Sequence, residues 1–198
     1  MTTDTRQIVA NLTAFYDFAG KTVIAVGAGG GQLVEYARSM TRVVAVDKDR
    51  AAIDRLAACA RESGLAERFV LVPRDFFDVR TPGDVVLFEF CLHQMADAAG
   101  ALGRARQLAE DVVVLDHAPS SRWSWIAAEE HLVEEAWRAV DRQHVRKRRE
   151  VEAEQRFRDH SELETRLAGQ GPACLERIAG FRGQTPIAIP MPYRMALL

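Results

Sequence analysis

The stretch Thr22-Val23-Ile24-Ala25-Val26-Gly27-Ala28-Gly29-Gly30-Gly31 decides the fold of this chain. Its first five residues are mostly β-branched, which is typical of a strand buried on both faces of a parallel sheet. Glycines directly after such a strand let backbone N–H groups approach a ligand closely, because no Cβ stands in the way. The stretch therefore predicts a buried strand followed by a ligand-binding turn.

The segments on either side of this turn alternate between helical and strand patterns. Helices are expected over 4–18, 32–40, 50–62 and 96–109, and strands over 42–46, 68–72, 84–90 and 111–115. Strands that alternate with helices predict an α/β fold with a doubly wound, mostly parallel sheet.

The chain after Asp116 changes its pattern. Residues 123–158 are highly charged and contain no glycine or proline, so one long helix or two stacked helices are expected, within a helical lid over 117–170. Strand-like pieces over 174–181 and 187–198 are interrupted by prolines, which favours an edge hairpin over 171–198. No linker or internal repeat separates a second domain, so we expect a single domain over 1–198, with an N-terminal helix within 1–20 and a ligand-binding half over 21–116.

Composition narrows the classes of partner. A formal net charge of −2 and a pI near 6.2 give no global reason to bind nucleic acid or a membrane. The basic cluster over 142–149 is followed directly by glutamates, as expected of an exposed helix with ion pairs. Three separated cysteines without a C-x-x-C pair fit a reducing compartment. We therefore expect a cytoplasmic protein with a small-molecule partner, and a homodimer is possible.

The glycine turn distinguishes between nucleotide ligands. A dinucleotide fingerprint would need glycine or alanine where Gln32 stands, and no lysine follows the turn as in a Walker loop. Asp47 ends the second strand, where a carboxylate can accept both hydroxyl groups of an adenosine ribose. Asp75 follows the third strand and could accept from an adenine amino group, with Phe76 against the ring.

Over residues 21–116 the order of these elements resembles the class I S-adenosylmethionine-dependent methyltransferases. Their motif I, V-x-D/E-x-G-x-G-x-G, corresponds to Val23 through Gly31. The resemblance implies a seven-stranded Rossmann-like methyltransferase fold and S-adenosyl-L-methionine as cofactor. The cofactor-binding residues that it implies are Gly27, Ala28, Gly29, Gly31, Asp47, Lys48, Asp75, Phe76 and Glu89.

Ala25 departs from this family pattern. It stands where the family has the motif I carboxylate that helps to hold the methionine end of the cofactor, a role that Glu89 or backbone carbonyls could take over. A non-catalytic protein that binds or senses S-adenosylmethionine is therefore the second hypothesis. An RNA methyltransferase and a dinucleotide-dependent reductase are weaker alternatives.

The acceptor is expected beyond the carboxyl ends of the fourth and fifth strands. His93 and His117 follow these strands and are the candidate catalytic bases for a hydroxyl acceptor, or else line the site. Tyr16, Trp125 and Trp137 are candidates for an aromatic wall around the substrate, although the tryptophans could instead seal a helix to the core or to a dimer mate.

Metal-assisted transfer has little support in the sequence. Asp116 beside His117 matches a set of metal ligands only in part, and the glutamates of 129–135 are expected on a solvated helix face. No metal site is therefore expected. The leading function is in-line methyl transfer to a small molecule, with the acceptor atom left open.

Overall fold

The computed structural model describes residues 5–30 and 33–198. Expectations that involve residue 4, Gly31 or Gln32 therefore lie outside the described residues. The described helices are α1 (Thr5–Phe15), α2 (Leu33–Ala37), α3 (Arg50–Glu62), α4 (Ala98–Leu108), α5 (Arg122–Ile126), α6 (Glu130–Asp141), α7 (His160–Leu167) and α8 (Pro172–Ile178). The described strands are β1 (Thr22–Val26), β2 (Arg42–Val46), β3 (Phe69–Val72), β4 (Val85–Glu89), β5 (Asp111–His117), β6 (Lys147–Val151), β7 (Glu154–Phe157), β8 (Ile187–Pro190) and β9 (Tyr193–Leu197).

Seven strands form one sheet in the order β3-β2-β1-β4-β5-β9-β6. The first five are parallel to one another, and β9 runs antiparallel to both β5 and β6. In this register Val26 pairs with Val46 and with Phe88, so the ends of β1, β2 and β4 lie side by side. The predicted seven-stranded, mostly parallel α/β sheet is confirmed.

Alternate residues of the central strands face two separate apolar layers. On β1, Ile24 and Val26 contact the layer that contains Leu102 of α4 and Val140 of α6. Val23 and Ala25 point to the other side, where α1, α2 and α3 contribute Leu12, Leu33, Leu56 and neighbouring residues. Because both faces are covered, the strands are apolar without a break, which is why the first strand was recognisable from sequence.

The predicted helical lid is wrong in its second half. Helices α5 and α6 end at Asp141, and residues 147–151 and 154–157 are the strands β6 and β7. Strand β6 is the edge of the main sheet, and four of its five residues are exposed. Charged side chains are tolerated and useful on an edge strand, because they oppose pairing with other chains. That exposed, charged edge explains why β6 has the composition of a solvated helix.

The predicted C-terminal edge hairpin is also wrong. Residues 172–178 form helix α8, which begins at Pro172 and buries Cys174 and Ile178 one turn apart. Strand β8 pairs with β7 in a separate two-stranded sheet, whereas β9 lies between β5 and β6 in the main sheet. Pro190 and Pro192 fall outside the span of β9, so their missing N–H groups do not interrupt the main sheet. Of the described helices, none has the length and apolar composition needed to cross a lipid bilayer.

Candidate active site

A cavity of about 280 Å³ opens at the carboxyl edge of the sheet. Its walls come from the ends of four parallel strands. They comprise residues 26–27 at the end of β1, 46–48 at the end of β2, 74–77 after β3, and 90, 91 and 94–96 after β4. Loops at this edge are free to take side chains that bind ligands, because the strands themselves are fixed by their neighbours. Of the residues proposed for cofactor binding, Gly27, Asp47, Lys48, Asp75 and Phe76 line this cavity.

The glycine turn packs so closely against neighbouring residues that side chains at Gly27 and Gly29 would not fit. Gly27 has a φ of +70°, and a Cβ there would lie 2.5 Å from the Cβ of Cys91. A Cβ on Gly29 would lie 2.7 Å from the Cβ of Ala52. Ala28, the residue between them, is buried. At Gly27, which lines the cavity, the turn therefore presents bare backbone to a ligand, as a nucleotide requires.

The Asp47 carboxylate holds the turn and also faces the cavity. Its Oδ2 accepts from the N–H of Gly29 at 3.2 Å, and its Oδ1 accepts from the N–H of Asp49 at 2.9 Å. A carboxylate has about four lone-pair sites, so acceptor capacity remains for the two hydroxyl groups of a ribose. The position and the remaining capacity of Asp47 fit an adenosine ligand.

Ala25 is buried, and the nearest strand end supplies a different carboxylate. Glu89 is the last residue of β4, and its Oε2 accepts a hydrogen bond from the hydroxyl of Tyr36 on α2. Burial and the charge of Glu89 raise the pKa of Tyr36, so the phenol remains a proton donor. Glu89 thus has a fixed orientation, but it is not among the residues that line the described cavity.

The loop after β3 presents two aromatic rings of different exposure. Asp75 caps a short 3-10 turn by accepting from the N–H of Phe77 at 2.9 Å. Phe76 contacts Phe88 in the core with a centroid distance of 5.4 Å, and only part of it reaches the cavity. Phe77 also lines the cavity and is 39% exposed, so it is the ring with more free surface for a base. Only Phe76 was predicted from the sequence.

A buried polar cluster adjoins this cavity on the side of β4 and β5. Asp116 in β5 is 1% exposed and accepts from His93 Nδ1 at 2.6 Å, from the N–H of His93 at 3.0 Å and from the N–H of His117 at 2.8 Å. These contacts fix both candidate histidines at the end of β5. Asp116 was seen in the sequence only as a neighbour of His117, because its partner His93 lies 23 residues away.

Glu129 completes this cluster from the junction between α5 and α6. Its carboxylate lies 3.6 Å from His93 Nε2 and accepts from Gln94 Nε2 at 3.4 Å. Ala128, immediately before it, has a φ of +59°, a backbone conformation that turns the chain toward the cluster. From the sequence, Glu129 was predicted on a solvated helix face. The spacing of residues in a helix does not show which strand of the sheet lies beside the start of that helix.

The two histidines differ in their protonation. Burial by itself would lower the pKa of His93, but the hydrogen bond with Asp116 and the interactions with the carboxylates of Asp116 and Glu129 outweigh it and raise the pKa to about 9. Burial lowers the pKa of His117 to about 4, although Asp116 acts in the opposite direction. Near neutral pH His117 is therefore neutral, and His93 carries a proton between two carboxylates.

The residues proposed for an aromatic wall do not form one. The hydroxyl of Tyr16 donates to Asp111, the first residue of β5, which lies about 20 Å along that strand from His117. Trp137 is buried, and its indole N–H donates to the carbonyl of His117 at 2.7 Å. It therefore holds the backbone of the cluster in place. The ring of Trp125 lies under the guanidinium groups of Arg122 and Arg177, at 3.9 and 4.7 Å. Tyr16 and Trp137 are structural, and Trp125 does not line the described cavity.

Comparisons with known proteins agree with this geometry. The family model described as "Methyltransferase domain" matches residues 24–115. The YcgJ protein of Bacillus subtilis has the same fold over 97% of both chains, with a TM-score of 0.72 and 10% identity. A SAM dependent methyltransferase from Aquifex aeolicus matches over 99% of this chain and 90% of its own, with a TM-score of 0.59 and 15% identity. The [4+2]-cyclase SpnF matches over 96% and 79%, with a TM-score of 0.67 and 16% identity.

At these identities the solved structures show the fold alone, and SpnF is named for a reaction other than methyl transfer. No curated protein matches the chain. The matched domain runs from within β1 to within β5 and so includes the ends of β1 to β4, which build the cavity. Residues 24–115 of the chain therefore match a methyltransferase domain, and the whole chain has the fold of solved S-adenosylmethionine-dependent methyltransferases. Both findings imply S-adenosylmethionine as the cofactor.

Proposed function

We propose that this enzyme methylates a small molecule bound between the cofactor cavity and the cluster of Asp116, His93, His117 and Glu129. The burial of that cluster carries the proposal: His93 is 3% and His117 is 8% exposed. Groups this deeply enclosed can be reached by a small acceptor in a closed site, but not by a long polymer lying on an open surface.

Two side chains connect the cofactor cavity to the cluster. Gln94 lines the cavity and donates to Glu129, and Phe90 lines the cavity and contacts the ring of His117 at a centroid distance of 4.9 Å. Phe90 has a φ of +49°, a strained conformation for a bulky residue that is found mostly where function requires it. An acceptor beside Phe90 would therefore contact both the cofactor side and the cluster.

Methyl transfer requires mainly that the acceptor atom is aligned with the methyl group of the cofactor. S-adenosylmethionine supplies an electrophilic methyl group when bound, and the acceptor atom must lie in line with the sulfonium bond. The cluster offers fixed polar atoms to orient an acceptor, and the buried surroundings exclude water. This use of His93 and His117 is positioning of the acceptor and does not depend on either of them acting as a base.

The basic segment 142–149 gives little support to RNA as the acceptor. Arg146 pairs with Asp111, Arg148 pairs with Asp141, and Lys147 donates to the carbonyl of Phe15 at 2.6 Å. Asp111 begins β5, so this part of the segment lies at the sheet edge opposite the cavity. Cations that already have partners and face away from the cofactor are poorly placed to guide a nucleic acid to it.

Release of S-adenosylhomocysteine tests the proposal. The protein would be incubated with S-adenosylmethionine and either a fractionated small-metabolite extract or total cellular RNA. We expect turnover with a metabolite fraction, loss of turnover and of cofactor binding in Asp47→Asn, and little change in the matched control Asp49→Asn, whose carboxylate caps α3 outside the cavity. Turnover with RNA and with none of the metabolite fractions would refute the proposal.

A further inference from the structure

One ligand atom from each of His93, His117 and Glu129 lies within 4.8 Å of the others. These residues come from three parts of the fold: the turn after β4, the end of β5, and the junction before α6. His93 Nε2 and His117 Nδ1 are buried, and neither has a hydrogen-bond partner among the residues that the structure describes. A buried polar atom without a partner costs about 1–3 kcal/mol, so two of them facing one point need an explanation.

We propose that His93, His117 and Glu129 bind a divalent transition-metal ion of the zinc type beside the cofactor cavity. Two imidazoles and one carboxylate, with a position left open, are a ligand set used by catalytic zinc sites. Ligand atoms on one such ion are about 3.4 Å apart, as tetrahedral geometry with bonds of about 2.1 Å requires. The three side chains would each need to move inward by about 1 Å or less.

The surroundings of the cluster orient these ligands. Asp116 accepts from Nδ1 of His93 at 2.6 Å, and this contact turns Nε2 toward Glu129. A carboxylate behind a histidine ligand is the usual outer support of a metal site. Gln94 holds the Glu129 carboxylate, and the indole of Trp137 fixes the backbone of His117. Each of the three ligands therefore has its own support.

A network without metal accounts for these contacts less well. The 3.6 Å between His93 Nε2 and Glu129 is too long for a hydrogen bond. His117 Nδ1 would also stay unsatisfied in such a network. An ion at the centre would displace the proton from Nε2 of His93, give both nitrogens a partner and neutralise the two carboxylates.

The role of the ion rests on the proposed function, whereas the site itself does not. A hydroxyl or thiol acceptor would lose its proton to the solvent as it enters and would bind the open position as its anion. The acceptor's oxygen or sulfur would then form a bond to the methyl carbon as the sulfonium S–CH₃ bond breaks, and neutral S-adenosylhomocysteine would leave. The metal would thus supply the activation that neither histidine needs to provide as a base.

Metal binding by protein without a histidine tag tests the site directly. After treatment with a chelator and its removal, the full chain would be titrated with Zn²⁺ by calorimetry and with Co²⁺ by visible absorption. We expect one equivalent to bind, and at least tenfold weaker binding by Glu129→Gln and His117→Gln. The matched controls Glu130→Gln and His131→Gln change the next two residues, whose side chains are not part of the cluster, and should bind as the wild type does.

Each variant's affinity for S-adenosylmethionine would be measured in parallel, because unchanged cofactor binding shows an intact fold. The wild type gives a readout that needs no variant: Zn²⁺ should raise its melting temperature, since an ion that binds only the folded state stabilises it. Absence of metal binding by wild-type protein that binds the cofactor would overturn the inference, and so would equal binding by Glu129→Gln and His117→Gln. Metal binding without turnover of any small acceptor would support the metal site and count against the proposed function.

Discussion

Among single residues, Gly27 has the strictest requirement in the site. Its φ of +70° disfavours any side chain, and the Cys91 Cβ occupies the place that a Cβ would take. Asp47 and Cys91 then hold the turn from two sides, through the N–H of Gly29 and the carbonyl of Val26. The shape of the cofactor cradle is therefore set by backbone conformation, and side chains act on it from outside.

Gly27→Ala should weaken cofactor binding by at least tenfold and destabilise the protein by about 1–3 kcal/mol, because it combines backbone strain with overlap against Cys91. Calorimetry with S-adenosylmethionine and urea denaturation would measure the two effects. Gly103→Ala is the matched control, since it lies inside α4 with open space around its missing Cβ and should stabilise by about 0.5–1 kcal/mol. Equal effects of the two substitutions would contradict the role assigned to the turn.

Among the elements, helix α6 supports the acceptor side through one buried hydrogen bond. The Trp137 indole donates to the carbonyl of His117, and the ring packs in the same apolar layer as α4. Trp137→Phe should cost about 1–3 kcal/mol of unfolding free energy, because it leaves a buried carbonyl without its donor. Chemical denaturation would measure the loss, and cofactor affinity should not change, since Trp137 does not line the cavity.

Strand β9 is the element whose position differs most from expectation. It forms backbone ladders with β5 on one side and β6 on the other, and its Met195 and Ala196 are fully buried. A chain truncated after residue 192 should therefore not fold, because β5 would lose one of its two neighbours and β6 the strand that joins it to the main sheet. Circular dichroism and gel filtration would report this, whereas a folded, cooperative product would support the edge hairpin instead.

At the scale of the whole molecule, stability and chemistry lie at opposite edges of the sheet. Asp111 accepts from Tyr16, the residue directly after α1, and pairs with Arg146, so it joins the end of the first helix to the segment before β6. Burial would raise the pKa of Asp111, but the hydrogen bonds from Tyr16 and Arg146 outweigh it and lower the pKa. Burial and the contact with Asp111 raise the pKa of Tyr16 above its ordinary value.

These shifts give stability a predictable pH profile. Asp111 contributes fully to the free energy of unfolding above about pH 3.9, the pKa of an aspartate in an unfolded chain. This contribution is lost as the pH falls through the lower pKa that Asp111 has in the folded protein. The contribution of Tyr16 is present below about pH 10 and is lost above it, where the unfolded tyrosine ionises first. Tyr16→Phe should remove the contribution of Tyr16 at alkaline pH and weaken the acid limb, because Asp111 loses one of the hydrogen bonds that lower its pKa. Asp111→Asn should remove the contribution of Asp111 at acid pH and weaken the alkaline limb. Urea denaturation between about pH 3 and 11, which spans both ordinary pKa values, would show whether they do, with cofactor affinity near neutral pH unchanged.

The sequence by itself determined the cofactor-binding half of this protein. The bounds of β1, β2 and α3 were predicted correctly, because the patterns of strands and helices lie in neighbouring residues. The glycine turn and Asp47 identified the cofactor class for the same reason. The same local patterns also gave two wrong predictions. Strand β6 was predicted as helix because its composition is that of an exposed helix, and helix α8 was predicted as a strand.

Tertiary structure decided the acceptor side. His93, His117 and Glu129 are separated by up to 36 residues and meet only because β4 and β5 end side by side and α6 begins above them. Tyr16 and Trp137 are aromatic in the sequence, but the structure places one at the far edge of the sheet and the other beneath the cluster. Contacts between distant residues depend on how helices and strands pack against one another. The spacing of apolar residues in the sequence shows the type of each element, but not which other elements it contacts.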